Sequence, residues 1–433
     1  MKTFKLASLV AAAAAFTAGA AHADVAETKG GIKIKTDDGR FEASVGGRIM
    51  FDLYALSEDK DANFGGVNFG SNAQNTSSST YFRRIYLTLK GKAYGWSYKI
   101  EPDFAGASTN GDDTRDIAFQ DVYISHGLGP GEVIIGQIKP FRGMEELTSS
   151  NDITMMERPF ASAAGIFAGG ASREFQQGLF YRAEIADFIA GAGVFDLRRD
   201  NTRATEGVGG NVRVVFAPVH TDTTTLHIGA SYTEENPHNA DDKGTDQNIG
   251  TSVRYIGRRG PNLSLGATTG GEKADTVGGE LAAAFGPATL QAEYMVQTVD
   301  QADVAGVHVD SQDIEAWYVQ GSYFVTGETK PYKKADGVFG SPKPKNDFGA
   351  IELKVRYDAA KNKDSDATCN IKDAAGLVVG AATKCEASLL TAGVNWYVNP
   401  NVRFMFEYLA GENDRGIAKD KPDAFTARAQ FSF

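Results

Sequence analysis

The chain has 433 residues, with 44 basic against 55 acidic side chains and a formal charge of −11 at neutral pH, a balance that argues against nucleic-acid binding. Beyond its N-terminal leader it has no apolar run approaching the roughly 20 residues a membrane helix needs, which excludes a helical membrane protein. Gly is abundant at 49 residues, aromatics reach 10% and Pro is sparse at 13, a composition that suits short strands joined by turns.

Lys2 and Lys5 precede the apolar stretch Leu6 to Ala20, and Ala21-His22-Ala23 forms a small-residue cleavage signal before Asp24. This pattern predicts a secretory signal peptide over 1–23 and one mature domain over 24–433. The first strand follows. In Arg40 to Tyr54 the odd positions carry Phe41, Val45, Ile49, Phe51 and Leu53, and the even ones Arg40, Glu42, Ser44, Arg48 and Asp52. A period of two sends these sets to opposite faces. The pattern recurs in Ile85/Leu87/Leu89 against Arg84/Tyr86/Thr88/Lys90, and in Trp96/Tyr98/Ile100 against Ser97/Lys99/Glu101. Further along it returns in Leu290 to Gln297, Ile351 to Tyr357 and Val402 to Tyr408. The chain closes on Phe425, Ala427, Ala429, Phe431 and Phe433 alternating with polar residues.

Strands of about 10 residues with aromatics near their ends favour a membrane barrel over a soluble sandwich. Tight turns are read at Lys92 to Gly95, Gly127 to Gly131, Gly257 to Asn262, Gly286-Pro287 and Asn399 to Asn401. Long polar loops are read at Ser57 to Ser79, Pro140 to Gln177, Glu234 to Asp246 and Asp358 to Glu386. The fold class is therefore all-β: a closed transmembrane antiparallel β-barrel of about 16 to 18 strands, forming a single domain. Loop Pro140 to Gln177, too long for a plain connection, is expected to fold inward and set the aperture.

Five stretches carry a family resemblance in their order and spacing: Tyr81 to Tyr86 (Tyr-Phe-Arg-Arg-Ile-Tyr), Gln120 to Ile124, Gly136 to Phe141, Thr326 to Tyr332 and Gly393 to Tyr397. The mature chain resembles the phosphate-selective porin O and P family. That resemblance implies a 16-stranded homotrimer in the bacterial outer membrane, in contact with its lipid, with an anion site at the narrowing. A C-terminal Phe433 resembles the signal by which such barrels reach the assembly machinery. The expected solutes are small anions, phosphate or polyphosphate among them, with no cofactor and no catalytic step. A general non-selective porin, or an adhesin acting through its outer loops, is the alternative.

An anion filter needs permanent cations aimed into a narrow lumen, and arginine adds a fork matched to phosphate oxygens. Alternation points Arg84 and Tyr86 inward; the resemblance adds Arg83, which then requires a bulge to turn it. Lys139, Arg142 and Arg158, with Arg173, are further candidates on the long loop, against the acids Glu145, Glu146, Asp152, Glu157 and Glu174. A second cationic group, Lys330, Lys333, Lys334, Lys343 and Lys345, falls on the periplasmic side, and Asp121 is expected to hold the arginines in place. One departure stands out: the loop Glu234 to Asp246 has only Lys243 among five acids, where phosphate-selective relatives carry arginines. Arg198, Arg199 and Arg203 in the preceding loop are possible substitutes. Cys369 and Cys385 are expected to form a disulfide in an oxidising compartment, and the scattered histidines show no metal spacing.

Overall fold

A computed structural model describes residues 31–57, 78–105, 117–162, 174–197, 207–237, 251–254, 260, 262–266, 271–301, 306–372 and 377–433. Sixteen strands form the barrel wall. They are β1 (Phe41–Ser57), β2 (Ser78–Ala93), β3 (Trp96–Asp103), β4 (Ala118–Leu128), β5 (Gly131–Ile138), β6 (Gln176–Ile185), β7 (Phe188–Asp196) and β8 (Gly207–His220) in the first half. The second half comprises β9 (Thr224–Pro237), β10 (Gly271–Phe285), β11 (Ala288–Gln301), β12 (Gln312–Phe324), β13 (Ala350–Asn362), β14 (Glu386–Tyr397), β15 (Val402–Asp414) and β16 (Asp423–Ser432). Each pairs antiparallel with its sequence neighbour, and β16 closes on β1 from Arg48↔Ser432 to Ser57↔Asp423. A short strand, Ile32–Lys35, pairs with Glu42 to Val45 and prolongs the line of β16 beyond Phe433. Closure matters because an open edge in lipid would leave backbone donors and acceptors unpaired.

The distribution of polarity is inverted relative to a soluble protein. Phe51, Leu53, Val277, Leu281, Val355 and Phe406 stand on the outer surface, while Asp52, Glu293, Glu352, Arg356, Glu407 and Arg428 are buried inside. Such an outward apolar face is stable against acyl chains, not against water. Aromatics crowd the strand ends, with Phe41, Trp96, Phe188, Phe285, Trp396 and Phe433 at the short-turn rim and Phe119, Tyr232, Tyr294, Tyr408 and Phe425 towards the other. These are the two interfacial girdles of a membrane barrel.

Four of the expected tight turns join adjacent strands on one rim. The fifth does not. Val253 and Leu263 sit on a small hairpin, Ser252–Arg254 paired with Asn262–Ser264, inside the long connection between β9 and β10. The turn read at Gly257 to Asn262 thus belongs to a long loop on the opposite rim; its tip lies outside the described residues. Counting that hairpin with the sixteen wall strands would give 18. It is folded into the barrel, with Val253, Leu263 and Leu265 buried against Tyr54, Val299, Ile314 and Leu389, and Thr251 donates to Gln297 Oε1 at 2.6 Å.

Cys369 and Cys385 are joined by a disulfide at the base of the loop between β13 and β14, where both sulfurs approach the Ser264 carbonyl of that hairpin. On the short-turn rim one connection is long: Val325 to Gly349, between β12 and β13, turns back into the lumen through the two-residue strands Tyr332–Lys333 and Val338–Phe339.

Candidate anion site in the lumen

The loop after β5 is pulled across the lumen, and the barrel wall holds it mainly by its backbone. Phe141 packs on Phe180 beside Gly191, where a methyl group would come within 2.6 Å of the Phe141 ring. Gly191→Ala is therefore expected to displace Phe141 at the root of the loop and cost about 1–3 kcal/mol, read as a lower unfolding midpoint together with an altered single-channel conductance. A single helical turn, Met144–Leu147, begins on the Glu293 carboxylate, which accepts from Met144 N at 2.6 Å and Glu145 N at 3.1 Å. Farther on, Glu407 accepts from Met156 N at 2.7 Å, Arg403 donates to the carbonyls of Ile153 and Thr154, and Arg428 donates to Met156 O at 2.7 Å. Of the loop charges, Arg142 and Glu157 pair with the wall and Asp152 with Lys333 of the infolded turn, while Lys139 and Arg158 share Glu174 within the loop.

Because the loop leans on β11 to β16, the open part of the lumen is left beside β1 to β8. There a cavity of about 320 Å³ is lined by Arg48, Arg84, Lys99, Lys139, Arg158, Arg182 and Arg213, and by the acids Glu101, Asp121, Glu174 and Asp336, with Tyr86 and Tyr123 between them. Six of the seven cations have a carboxylate within ion-pair distance: Arg48 on Glu101 (2.7 Å), Lys99 on Asp121 (2.5 Å), Lys139 on Glu174 (2.5 Å), Arg158 on Glu174 (3.4 Å), Arg182 on Glu132 (2.5 Å) and Arg213 on Glu280 (2.8 Å). Among the described residues Arg84 has none; its Nη1 reaches the Met50 sulfur at 3.7 Å. Arg48 stacks over Tyr86 with its guanidinium carbon 4.7 Å from the ring centre. Lys139, at the loop root, has its pKa pulled below the ordinary lysine value by burial and by neighbouring Arg158.

Arg83 faces inward by a bulge. The β1–β2 register slips between Met50↔Arg84 and Phe51↔Phe82, leaving Arg83 as the extra residue, and its guanidinium meets Glu157 of the loop through Nε at 2.6 Å and Nη2 at 2.8 Å. This pair lines a second cavity of about 260 Å³, shared with Arg158, Arg254, Arg356 and Glu407. Burial by itself would raise the Glu157 carboxyl, but Arg83, with Arg428 and Arg84, holds it well below the usual carboxylate range. The pair is therefore intact above the ordinary glutamate pKa and is lost only as the pH falls well beneath it.

Arg84, Tyr86, Asp121, Lys139 and Arg158 come together in one cavity, with Arg83 in the adjoining one. The other candidates are placed elsewhere. Arg142 is fully buried on Glu235 of β9, under Phe195; it fastens the loop and does not face the aperture. Lys330 is buried on Glu352 at 2.8 Å, Lys333 binds Asp152, and Lys334 pairs with Glu184 at 3.0 Å. The lysines thus tie the infolded turn to loop and wall, and do not form an open cluster. Asp121 holds Lys99, not an arginine. Arg173, Arg198, Arg199, Arg203 and Lys243 lie outside the described residues. Arg48, Lys99, Arg182, Arg213 and Arg254 were not singled out in the sequence, although strand parity already turned Arg48 inward with Asp52. Arg254 changes the reading of the acidic loop: the β9–β10 connection runs on past Asp246 and brings an arginine to the lumen.

The family model for phosphate-selective porin O and P matches residues 59–433. Porin O of Pseudomonas aeruginosa is 32% identical over 94% of this chain and 92% of its own length. Among solved structures, the outer-membrane channel DcaP of Acinetobacter baumannii superposes with a TM-score of 0.54 at 15% identity, over 92% of this chain and 99% of its own. An anion-selective porin from Comamonas acidovorans gives 0.53 at 14% identity, over 90% of this chain and 100% of its own. Both share the barrel fold. The chain is an outer-membrane porin and belongs to the phosphate-selective porin O and P family.

Proposed function

We propose that this porin is a passive channel for small anions, with phosphate and its condensed forms as the solutes it holds longest. The observation that carries the reading is Arg84: a permanent cation, nearly closed off from bulk water, without a carboxylate partner among the described residues and facing a cavity in which cations outnumber acids. A buried charge so placed draws a mobile counter-ion, because its field is little screened there. The family's description as phosphate-selective and the anion-selective Comamonas porin point the same way. The negative total charge is no objection, since a pore selects by the charges along its lumen.

The channel works as a homotrimer, a state that the trimer form of OmpT, an outer membrane protein of Vibrio cholerae, supports. Strands β3 and β5 have 8 residues each, fewer than the 9–11 a tilted strand needs to cross the hydrocarbon, so this low stretch of wall is best covered by a neighbouring protomer. The leader 1–23 is removed on export, 24–433 fold as one domain, and the assembly machinery reads Phe433. The reading assigns no catalytic step. It is tested by reversal potentials of the purified protein in a planar bilayer under a chloride gradient, with phosphate titrated in. Anion-selective steps that phosphate blocks support it; steps without anion preference point to a general pore, and no conductance points to a surface role for the loops.

A further inference from the structure

Resting on that anion reading, we propose that Glu157 is a tethered counter-anion, whose carboxylate holds the place on Arg83 that a permeating oxyanion must take. The bulge in β2 turns a second arginine into the lumen beside Arg84. Yet the fork of Arg83 is already filled, Nε to Oε1 at 2.6 Å and Nη2 to Oε2 at 2.8 Å, the two-point geometry in which a guanidinium binds phosphate oxygens. The loop residue thus imitates the solute.

The surroundings allow an exchange. Glu157 Oε1 also accepts from Arg428 Nη2 at 3.0 Å, and the Glu157 carbonyl accepts from Arg356 Nη1 at 2.9 Å. A carboxylate that leaves Arg83 keeps a cation, and the loop keeps its anchors. The pair borders a cavity of about 260 Å³, which gives an oxyanion room to approach. Arg158, the next residue, lines both this cavity and the one that contains Arg84, so the exchange site adjoins the filter. Chloride has a single centre and cannot match a two-point carboxylate, whereas an oxyanion with two free oxygens can. Glu157 thereby sets the threshold of charge and shape at which an anion is held.

The test uses full-length protein in planar bilayers, with inorganic phosphate as the probe and wild type, Glu157→Gln, Arg83→Met and the double variant compared. Glu157→Gln is expected to lower the half-blocking phosphate concentration about tenfold or more and to lengthen each block; Arg83→Met raises it, and the double variant behaves as Arg83→Met. If Glu157 only clips the loop, removing either partner widens the channel and weakens block alike, which overturns the proposal. Unchanged block in Glu157→Gln overturns it too. Should that variant fail to insert, Glu157→Asp carries the test: its retracted carboxylate tightens block by a smaller factor, and no change is again fatal. Loss of block in Arg84→Ala beside normal block in Glu157→Gln removes this inference alone, while wild type without anion preference removes the reading beneath it.

Discussion

Arg84→Ala is expected to raise the half-blocking phosphate concentration ten- to a hundredfold and to move the reversal potential towards that of a non-selective pore. A hydrogen bond to a charged group contributes about 1.5–3 kcal/mol, and each 1.4 kcal/mol is a factor of about ten in affinity. The effect is large at this position because Arg84 is the cavity cation with no carboxylate of the described residues within ion-pair distance. Arg48, by contrast, is engaged with Glu101 at 2.7 Å, an acid that Lys99 also holds at 2.6 Å, so its charge is already largely offset. Lys334→Ala serves as the comparison. It pairs with Glu184 and does not line the cavity, and its block should match wild type. Equal block in Arg84→Ala and wild type would remove Arg84 from the filter.

Arg428→Leu is expected to be the most damaging single change to the barrel, costing about 3–5 kcal/mol. Arg428 is fully buried and binds Asp52 through Nε at 2.7 Å and Nη2 at 2.8 Å, across the strand pair that closes the barrel. It also holds Met156 O and Glu157 of the constriction loop. Leucine leaves the Asp52 carboxylate buried without its cation and frees one flank of the loop. The measurement is the urea or heat midpoint of the folded barrel, followed by its mobility on an unheated denaturing gel. Combining Asp52→Asn with Arg428→Met should recover much of the loss, since neither buried charge then stands alone; no recovery would mean that the pair is not the source of the cost.

How the barrel arises is visible in the alternation of β1 and β16. In both, every second residue is apolar and outward, and the closing register Ile49↔Phe431 and Phe51↔Ala429 simply sets two such faces side by side. The bulge at Arg83 was implied by the resemblance alone, since two adjacent arginines cannot both face one side of a regular strand. Arg142 and Lys330 went the other way. Residue type and loop position made them filter candidates, but Glu235 and Glu352, distant in sequence, claim them. The turn read at Gly257 to Asn262 lies in a hairpin whose Val253 and Leu263 are flanked by polar neighbours as wall residues are; only its packing against Ile314 and Leu389 distinguishes it.

The sequence by itself determined the outward apolar and inward polar faces, the strand-rich architecture, the long loop after β5 and the inward side for Arg84. These are local properties, carried by a period of two and by turn chemistry, and they need no partner to be read. Tertiary structure alone decided which inward charges cancel and which remain to meet a solute. That choice depends on ion pairs such as Arg428 with Asp52 and Arg83 with Glu157, formed between residues 376 and 74 positions apart. In a closed lumen of low dielectric such pairing settles whether a cation fastens the loop or faces the passage.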